Sequence, residues 1–464
     1  DSLPLAVELA AARTKALAPG HILQRLAQRL DLLRGGRDAE PRQQTLRATI
    51  EWSYDLLSPA EQQLFARLSV FAGGCTLEAA ENVCEADLDT LQSLVEKSLL
   101  RFTASKAGSR YWLLETIREY AEEQVERNFD SIALRLRHAG WCCDLVDRLV
   151  GSLGRFGGDE GFGGLQEDSD NVRSALAWAW RSGENEYGLR LGAACRFWMW
   201  QGFFHDAVSW LDAAAPRIPL ASLSVQLGAL EAAGQIAFFV LADSERADEY
   251  WARAQAIAEE LGAADELAWI ESKRAGVVWE RGDLRLALTL HERVLAYHRA
   301  SGDRLRQADS LHDLGEVFRD LGRFEEAKVA LVEADAIFRE HGLDHFVANN
   351  THSLADLALD RDDCDAAVVL YREGLEVVRR RGDQRLVAYC VAGIASVMAE
   401  QGRDEVSATL WGAACAAEEQ LGFRMLPAER RRYSSRLARL EGTAAWSAGR
   451  ELTLEEALVS ILPP

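Results

Sequence analysis

The clearest pattern in the chain lies in residues 311–338, which read LHDLGEVFRDLGRFEEAKVALVEADAIF. Leu311, Leu314 and Phe318 stand at the spacing of one apolar helix face, and a second apolar series follows Gly322. Glycine has no Cβ, so it takes the left-handed conformation just past a helix end without a clash. The stretch therefore predicts two helices joined by a tight turn.

This helical hairpin repeats with a period of 40 residues. Glycine recurs at that step after the second helix, at Gly262, Gly302, Gly342, Gly382 and Gly422. The turn inside each hairpin falls at Gly202, Ala242, Gly282, Gly322, Asp362 and Gly402. Five residues after each turn stands a small residue, as expected where two helices cross closely, at Ala207, Ala247, Ala287, Ala327, Ala367 and Ser407. Six units over residues 196–424 are enough to stack a continuous core, and residues 425–464 are predicted to form capping helices.

The residue types at Leu311, Leu314, Gly315 and Phe318, followed by Ala327, resemble the tetratricopeptide repeat. Its usual period of about 34 residues is stretched here to 40. The extended form is similar to the sensor solenoids of large bacterial regulators of the maltose-activator type. Such a solenoid implies a concave groove lined by the first helix of each hairpin.

In the family, certain positions of the first helix line this groove. By their place in the repeat, the matching residues here are Trp269, Trp279, Glu280, Asp309, His312, Glu316, Arg319, Asn349, His352, Asp356 and Tyr389. A face that mixes aromatic, acidic and imidazole groups is typical of a binding surface. We therefore expect a peptide, a protein or a small-molecule inducer to bind there. The alternative is that these residues occupy ordinary solvated helix positions.

Two pairs in this set have the spacing of metal ligands, His312 with Glu316 and His352 with Asp356. Neighbouring hairpins lie about 10 Å apart, which is long for sharing one ion. We predict no metal site.

Residues 58–128 predict a winged helix. Ser58 and Pro59 begin an amphipathic helix, with serine as its cap and proline in its first turn. After three helices the periodicity changes, and residues 99–103 and 110–114 can pair as a two-stranded wing. With a helical connector over residues 129–195, the fold class is all-α dominated: a winged-helix domain followed by a tetratricopeptide-like α-solenoid superhelix.

The front of the chain resembles the signal-transduction ATPases with numerous domains, which share the NB-ARC type of nucleotide switch. Leu3, Pro4 and Leu5 match the GLPL motif of that family, although Ser2 replaces its leading glycine. Residues 52–71, WSYDLLSPAEQQLFARLSVF, match the start of its winged helix.

The resemblance extends to residues 111–121, YWLLETIREYA, but relatives carry a methionine, histidine, aspartate motif there that senses the β-phosphate. It also includes residues 167–179, which are similar to the connector of antibiotic-regulatory and LuxR-like transcriptional regulators. Residues 1–57 are then a helical lid remnant of the nucleotide-binding module, in which Pro4 would contact the adenine.

The sequence contains no G-x-x-x-x-G-K-[ST], so it has no loop that could cradle phosphates, and we expect no ATP hydrolysis by this chain. Because it starts at Asp1, inside a recognisable motif, we interpret it as a fragment. The resemblance implies that ATP or ADP with magnesium binds in an upstream domain, which is an expected partner.

The net charge of −21 argues against a protein that coats nucleic acid. The candidate recognition helix, Leu88–Ser98, sets Asp89 and Glu96 against Lys97 alone, whereas groove readers need several cations. We expect no DNA contact. The alternative is a transcription factor whose winged helix reads DNA directly.

No apolar stretch is long enough to span a membrane, and the eight cysteines have neither zinc-site nor disulfide-framework spacing. We expect a cytoplasmic protein. The run Arg430 to Arg432 could meet an acidic partner or form a solvated helix face. Together these observations predict a sensor and regulatory module, in which the solenoid binds a ligand or partner and the winged helix couples that event to the nucleotide switch.

Overall fold

The computed structural model describes residues 46–105, 108–128, 130–151, 165–194, 199 and 202–459. The motif predicted at residues 3–5, including Pro4, lies outside the described residues. The chain divides into two compact units, one formed by 1–145 with 166–183 and the other by 146–165 with 184–464.

The first unit is a winged helix. Its helices are Leu46–Asp55, Pro59–Leu68, Leu77–Cys84, Leu88–Glu96, Glu115–Asn128 and Ser169–Ser182, and helix Ser131–Gly151 crosses the boundary between the units. Strands β1 (Cys75–Thr76), β2 (Arg101–Ser105) and β3 (Gly108–Trp112) form an antiparallel sheet in the order β1-β3-β2. The predicted wing is confirmed, with a third strand added and both predicted segments shifted by two residues.

Ser58 begins the first helix of the winged helix as predicted. Its hydroxyl accepts from the Glu61 backbone N–H at 3.4 Å, and the Glu61 carboxylate accepts from the Ser58 N–H at 2.7 Å. Pro59 follows in the first turn, where its missing N–H costs nothing. Leu64 and Phe65, on the buried face of this helix, then enter the core of the domain.

Two segments outside the predicted winged-helix range also contribute to this unit. Tyr54, from helix Leu46–Asp55, packs its ring 5.6 Å from Phe65 and 5.7 Å from Tyr120. Asn171, from helix Ser169–Ser182, donates to the carbonyl oxygen of Gly74 at 2.8 Å. The boundaries at residues 57 and 129 stay predictions, while the packed unit is larger than the segment between them.

The second unit is a solenoid of helical hairpins. Its helices are Asn185–Arg190, Phe204–Ala214, Leu223–Phe239, Ser244–Leu261, Ala264–Glu280, Leu284–Ser301, Arg304–Asp320, Phe324–Glu340, Asp344–Asp360, Cys364–Arg381, Gln384–Glu400, Asp404–Leu421, Pro427–Leu437, Ala444–Gly449 and Leu454–Val459. Within the described residues five hairpins are complete, from Leu223 to Leu421, each with a first and a second helix. Helix Phe204–Ala214 takes the second-helix position of a sixth, whose first-helix region is only partly described.

The predicted turns are confirmed. Every glycine in the two 40-residue series has a positive φ, as has Ala242 at 52° and Asp362 at 62°, where the series departs from glycine. The predicted close crossing is also present, because a Cβ added at Gly315 would lie 2.6 Å from the Leu331 side chain of the paired helix. These two features fix the hairpin geometry that the sequence repeats.

The two ends of the solenoid touch each other. The backbone N–H of Arg424 donates to the carbonyl oxygen of Val240 at 2.8 Å. Beside this bond, the rings of Phe204 and Phe423 pack 5.2 Å apart. These contacts close one side of the concave face.

Candidate ligand cavity

A cavity of about 230 Å³ lies on the concave face of the solenoid. Helices Leu223–Phe239, Ala264–Glu280, Arg304–Asp320, Asp344–Asp360 and Gln384–Glu400, the first helices of the five complete hairpins, supply most of its wall. Eight of the eleven residues predicted for the groove line it: Trp269, Trp279, Asp309, His312, Glu316, Asn349, His352 and Tyr389. The register therefore placed most of the predicted residues on one surface.

One part of the cavity wall is aromatic. It includes the rings of Phe204, Phe238, Phe239, Phe346 and Tyr389. The guanidinium carbon of Arg385 lies 5.9 Å from the Phe239 ring centre and 5.6 Å from that of Tyr389. Both distances are in the range of a cation–π contact.

Another part of the cavity wall is polar. The Lys273 ammonium lies 3.2 Å from an Asp309 carboxylate oxygen and 3.9 Å from one of Asp313. It also stands 5.9 Å from the Trp269 ring centre. The Ser272 hydroxyl donates to Asp313 at 2.9 Å, so this carboxylate is held from two sides. Lys273 is thus one cation beside two carboxylates, so the group has one negative charge in excess.

His312 is held by two asparagines. Asn349 Nδ2 donates to its Nε2 at 3.2 Å, so Nδ1 carries the proton and donates to Asn350 Oδ1 at 3.0 Å. Asn350 in turn donates to the Leu331 carbonyl at 2.8 Å. Throughout the described ranges, no group of three His, Cys, Asp or Glu side chains could hold a metal ion.

The other three predicted groove residues, Glu280, Arg319 and Asp356, do not line the cavity. They are buried against helix Pro427–Leu437, which we name the arginine helix. The expectation that they face an open groove is therefore wrong, because this segment of the same chain covers them.

The arginine helix crosses the C-terminal ends of the first helices, where four acids form an acidic ladder at steps of 40 residues: Glu280, Asp320, Asp360 and Glu400. Its contacts run along the ladder, from Arg431 to the Glu280 carbonyl at 3.4 Å, Arg432 to Asp320 at 2.7 Å, and Arg436 to Asp360 at 3.0 Å and Glu400 at 3.3 Å. Cations are favoured at helix C-termini by the macrodipole as well.

This docking corrects two expectations. Within the arginine run, Arg432 does not lie on a solvated helix face, because its side chain is buried on acids of its own chain. The arginine helix also does not cap the end of the solenoid, since it lies along the concave face. The two short helices after it do pack on the last hairpin, where a Cβ on Gly449 would lie 2.1 Å from the Thr409 carbonyl oxygen.

A buried ion network joins the arginine helix to the solenoid. Arg319 binds both carboxylate oxygens of Glu316, at 2.9 and 2.5 Å, and lies 3.4 Å from Asp356. Arg432 binds Glu429 at 2.8 Å and lies 3.3 Å from the same Asp356. Although burial raises the pKa of Glu429, the guanidinium groups of Arg432 and Arg319 outweigh it and hold that pKa at about 2.

In contrast to Glu429, Glu280 has a raised pKa. One carboxylate oxygen accepts from the Ala428 N–H at 3.0 Å, while the other is buried without a hydrogen-bond partner. Burial is the main cause that raises its pKa to about 7, and the Ala428 hydrogen bond and the Arg431 charge oppose the rise only in part. Glu280 therefore titrates near neutral pH where it meets the arginine helix.

The arginine helix also forms part of the cavity wall. Glu429 lines the cavity, as does Leu426 just before the helix begins. His352 Nε2 lies 2.9 Å from the Tyr433 hydroxyl, which donates to Asp356 at 3.3 Å. A residue predicted for the groove is thus tied to the segment that covers it.

Sequence analysis missed Lys273, His345 and Arg385, which line the cavity as well. A signal was present, because His345 and Arg385 stand four residues before Asn349 and Tyr389, both of which were predicted. Residues four apart share one face of a helix.

The candidate recognition helix of the winged helix, Leu88–Glu96, is followed by Lys97. The Lys97 ammonium pairs with the buried Glu61 carboxylate at 2.5 Å. Hydrogen bonds from the side chains of Lys97 and Ser93 lower the pKa of Glu61 to about 2. The cation that sequence analysis singled out is therefore engaged within the domain.

Residues 57–126 match the family described as a winged helix-turn-helix domain, and residues 266–340 and 306–380 match the tetratricopeptide repeat. The chain thus combines a winged helix with a tetratricopeptide-repeat solenoid, and neither is a catalytic fold. No helix in the described ranges is both long and apolar enough to cross a bilayer.

The chain is similar to bacterial regulators. It is 35% identical over 224 residues to a Mycobacterium tuberculosis protein named as an HTH-type transcriptional regulator, covering 46% of this chain and 25% of that protein. It is 34% identical over 131 residues to the regulatory protein AfsR of Streptomyces coelicolor, covering 27% of this chain and 13% of AfsR. The match spans about a quarter of the length of the first of these relatives.

Two solved structures share a distant likeness. A signal-transduction ATPase with a tetratricopeptide repeat sensor from Pyrococcus horikoshii is 16% identical, with a TM-score of 0.47 over 94% of this chain and 72% of that one. A Rap protein complexed with Competence and Sporulation Factor is 14% identical, with a TM-score of 0.48 over 70% of this chain and 91% of that one.

Proposed function

We propose that this chain is the sensing and coupling module of a signal-transduction ATPase that controls transcription. The solenoid cavity binds the inducing ligand, and the winged helix couples that binding to an upstream nucleotide switch. The relatives named as transcriptional regulators support the output that we propose. A cytoplasmic location fits this role.

The main support for this proposal is the cavity. Its wall takes residues from the first helices of all five complete hairpins and from the arginine helix. A ligand there contacts elements far apart in the sequence, so its binding energy depends on how the whole solenoid is arranged. A ligand can shift a conformational equilibrium only by such differential contacts.

The nucleotide is implied by the resemblance to the signal-transduction ATPases. ATP or ADP with magnesium would bind in the upstream domain, where the bound phosphates supply the charge that a switch reads. From this chain only Pro4 would contact the adenine, and it lies outside the described residues. The chain itself contributes the ligand cavity and the packed winged helix.

The test uses the full-length regulator and a transcriptional reporter under its control. Alanine at Trp279, His312 and His352 together removes three cavity side chains, and we expect induction to be lost while the protein remains abundant. Lys328→Ala, at an exposed position on a second helix, is the control and should induce normally. Full induction by the triple variant would overturn the proposal.

A further inference from the structure

The acids that line the cavity all have cations of the same chain beside them. Four carboxylates line it, and each has a cationic partner: Asp309 and Asp313 with Lys273, Glu316 with Arg319, and Glu429 with Arg432. These three cations are already engaged by carboxylates of the chain, which leaves none of them to pair with a ligand anion.

Arg385 is the exception. It lines the cavity from the first turn of helix Gln384–Glu400, is half-buried, and has no carboxylate within ion-pair distance anywhere in the described ranges. Its neighbours are instead the rings of Phe239 and Tyr389. A partly desolvated cation without an anion is a favourable place for a ligand anion.

The chemistry of guanidinium narrows the choice of anion. Its faces can lie against aromatic rings while its edge donates two parallel hydrogen bonds to a carboxylate. The guanidinium of Arg385 lies beside the rings of Phe239 and Tyr389, and a ligand carboxylate would pair with its edge. Phe204, Phe238 and Phe346 then offer the apolar surface beside it.

The size of the site limits the body of the ligand. The cavity volume of about 230 Å³ is below the range of roughly 300–1,000 Å³ for ordinary ligand pockets. The contacts of Arg424 with Val240 and of Phe423 with Phe204 close one side, and the arginine helix covers another. A long extended chain does not fit within these limits.

We propose that the cavity binds a compact organic anion, a carboxylate attached to an aromatic or aliphatic body, with Arg385 as the partner of the carboxylate. This inference rests on the proposed sensing function and names the chemical class that the same site takes. The carboxylate can belong to a small organic acid or to the terminal residue of a short peptide, and the site favours the small acid because of its volume.

The experiment compares acids with their amides on the whole chain. A panel of aromatic and aliphatic monocarboxylates, each beside its primary amide, is screened by saturation-transfer NMR and then by calorimetry. We expect acids to bind at least about tenfold more tightly than their amides, because the amide loses the ionic hydrogen bonds to Arg385. Equal binding of acid and amide, or binding by no acid at millimolar concentration, would overturn the proposal.

A second arm identifies the source of the carboxylate. The tripeptide Ala-Ala-Phe is tested with a free and with an amidated C-terminus beside the small acids. Tighter binding of the small acids supports the preference we propose. Tighter binding of the free tripeptide would move the assignment to peptide termini and overturn the preference for a small acid.

Variants locate the anion. Arg385→Gln should weaken the best acid by about tenfold and leave its amide unchanged, whereas Arg385→Lys should retain part of the affinity. Arg380→Gln, exposed on the neighbouring second helix, is the matched control. Should Arg385→Gln fail to fold by circular dichroism, the acid and amide comparison on the unmodified chain still decides the proposal.

These outcomes separate this inference from the sensing function. If acids and amides bind alike while the triple cavity variant abolishes induction, the cavity senses a ligand of another class. If the triple variant induces normally, the sensing function fails whatever the cavity binds.

Discussion

Arg432 Nη2 lies 2.7 Å from the carboxylate of Asp320, a residue at the end of a first helix in the middle of the solenoid. Through this contact and the pair of Arg436 with Asp360, the arginine helix lies on the acidic ladder of its own chain. The arginine helix is therefore an internal occupant of part of the concave face.

Arg432→Met should destabilise the solenoid strongly. The side chain is buried and pairs with Asp320, Asp356 and Glu429, so its removal leaves buried carboxylates without a cation. The expected loss in free energy of unfolding is about 3–5 kcal/mol. Urea unfolding followed by circular dichroism measures it. Arg439→Met, which removes an exposed, solvent-screened pair with Asp404, should have a far smaller effect, and equal losses in both variants would contradict the buried network.

Docking of the arginine helix should weaken as the pH rises. Glu280 has a pKa of about 7 when covered, against 4.5 ordinarily, so the docked state binds more protons between these values. Docking stability is fully present below about pH 4.5 and falls by about 3 kcal/mol as the pH rises through 7. Arg431 lowers the pKa of the Glu280 carboxyl group, whereas Glu429 and Asp320 raise it.

Thermal denaturation between pH 5.5 and 8 tests this dependence, since a scan at each pH reports the stability of the solenoid. Glu280→Gln removes the titrating group and should flatten the profile. Glu400→Gln, at a half-exposed step of the ladder, should leave the profile of the parent chain in place. Parallel profiles for Glu280→Gln and the parent chain would show that another group titrates.

Gly315→Ala should destabilise the hairpin. The new methyl would lie 2.6 Å from the Leu331 side chain, and such overpacking costs about 1–3 kcal/mol. Gly276→Ala is the control, because its methyl would meet only Phe238 at 3.9 Å and should gain up to about 1 kcal/mol of helix propensity. Chemical denaturation of both variants gives the comparison, and a Gly315→Ala variant as stable as the parent would show that the crossing can relax.

The chain should not bind duplex DNA through its winged helix. Lys97 is neutralised by Glu61, and the net charge of −21 repels phosphates at low salt. Fluorescence anisotropy with labelled random duplexes at low ionic strength should show no binding. Binding that weakens with the logarithm of salt concentration would instead favour the transcription factor alternative.

The hairpin could be predicted from sequence because its determinants are local. The positive φ at Gly322 favours glycine, and a period of 40 made that turn visible. The close crossing at Gly315 leaves no room for a Cβ, so it needs a small residue. The same register placed His312, Asn349 and Tyr389 on one cavity wall. For these residues, the position in the repeat was enough to predict that they line the cavity.

The covering of Glu280, Arg319 and Asp356 could not be predicted in this way. It depends on where a helix outside the repeats docks, which no single register specifies. The four acids at a step of 40, together with the spacing of Arg432 and Arg436 by one helical turn, held a partial signal. The contact between the solenoid ends was even harder to predict from sequence, because it results from small rotations accumulated over all hairpins.

The bond between Arg424 and Val240 changes how the repeats share their stability. In an open array each repeat contacts only its neighbours, so the terminal hairpins fray first and stability is a sum along one dimension. Here Phe204 and Phe423 give each terminus a second neighbour at the far end of the sequence. Melting either end uncovers the other, and the array should unfold as one cooperative body without a weak terminus.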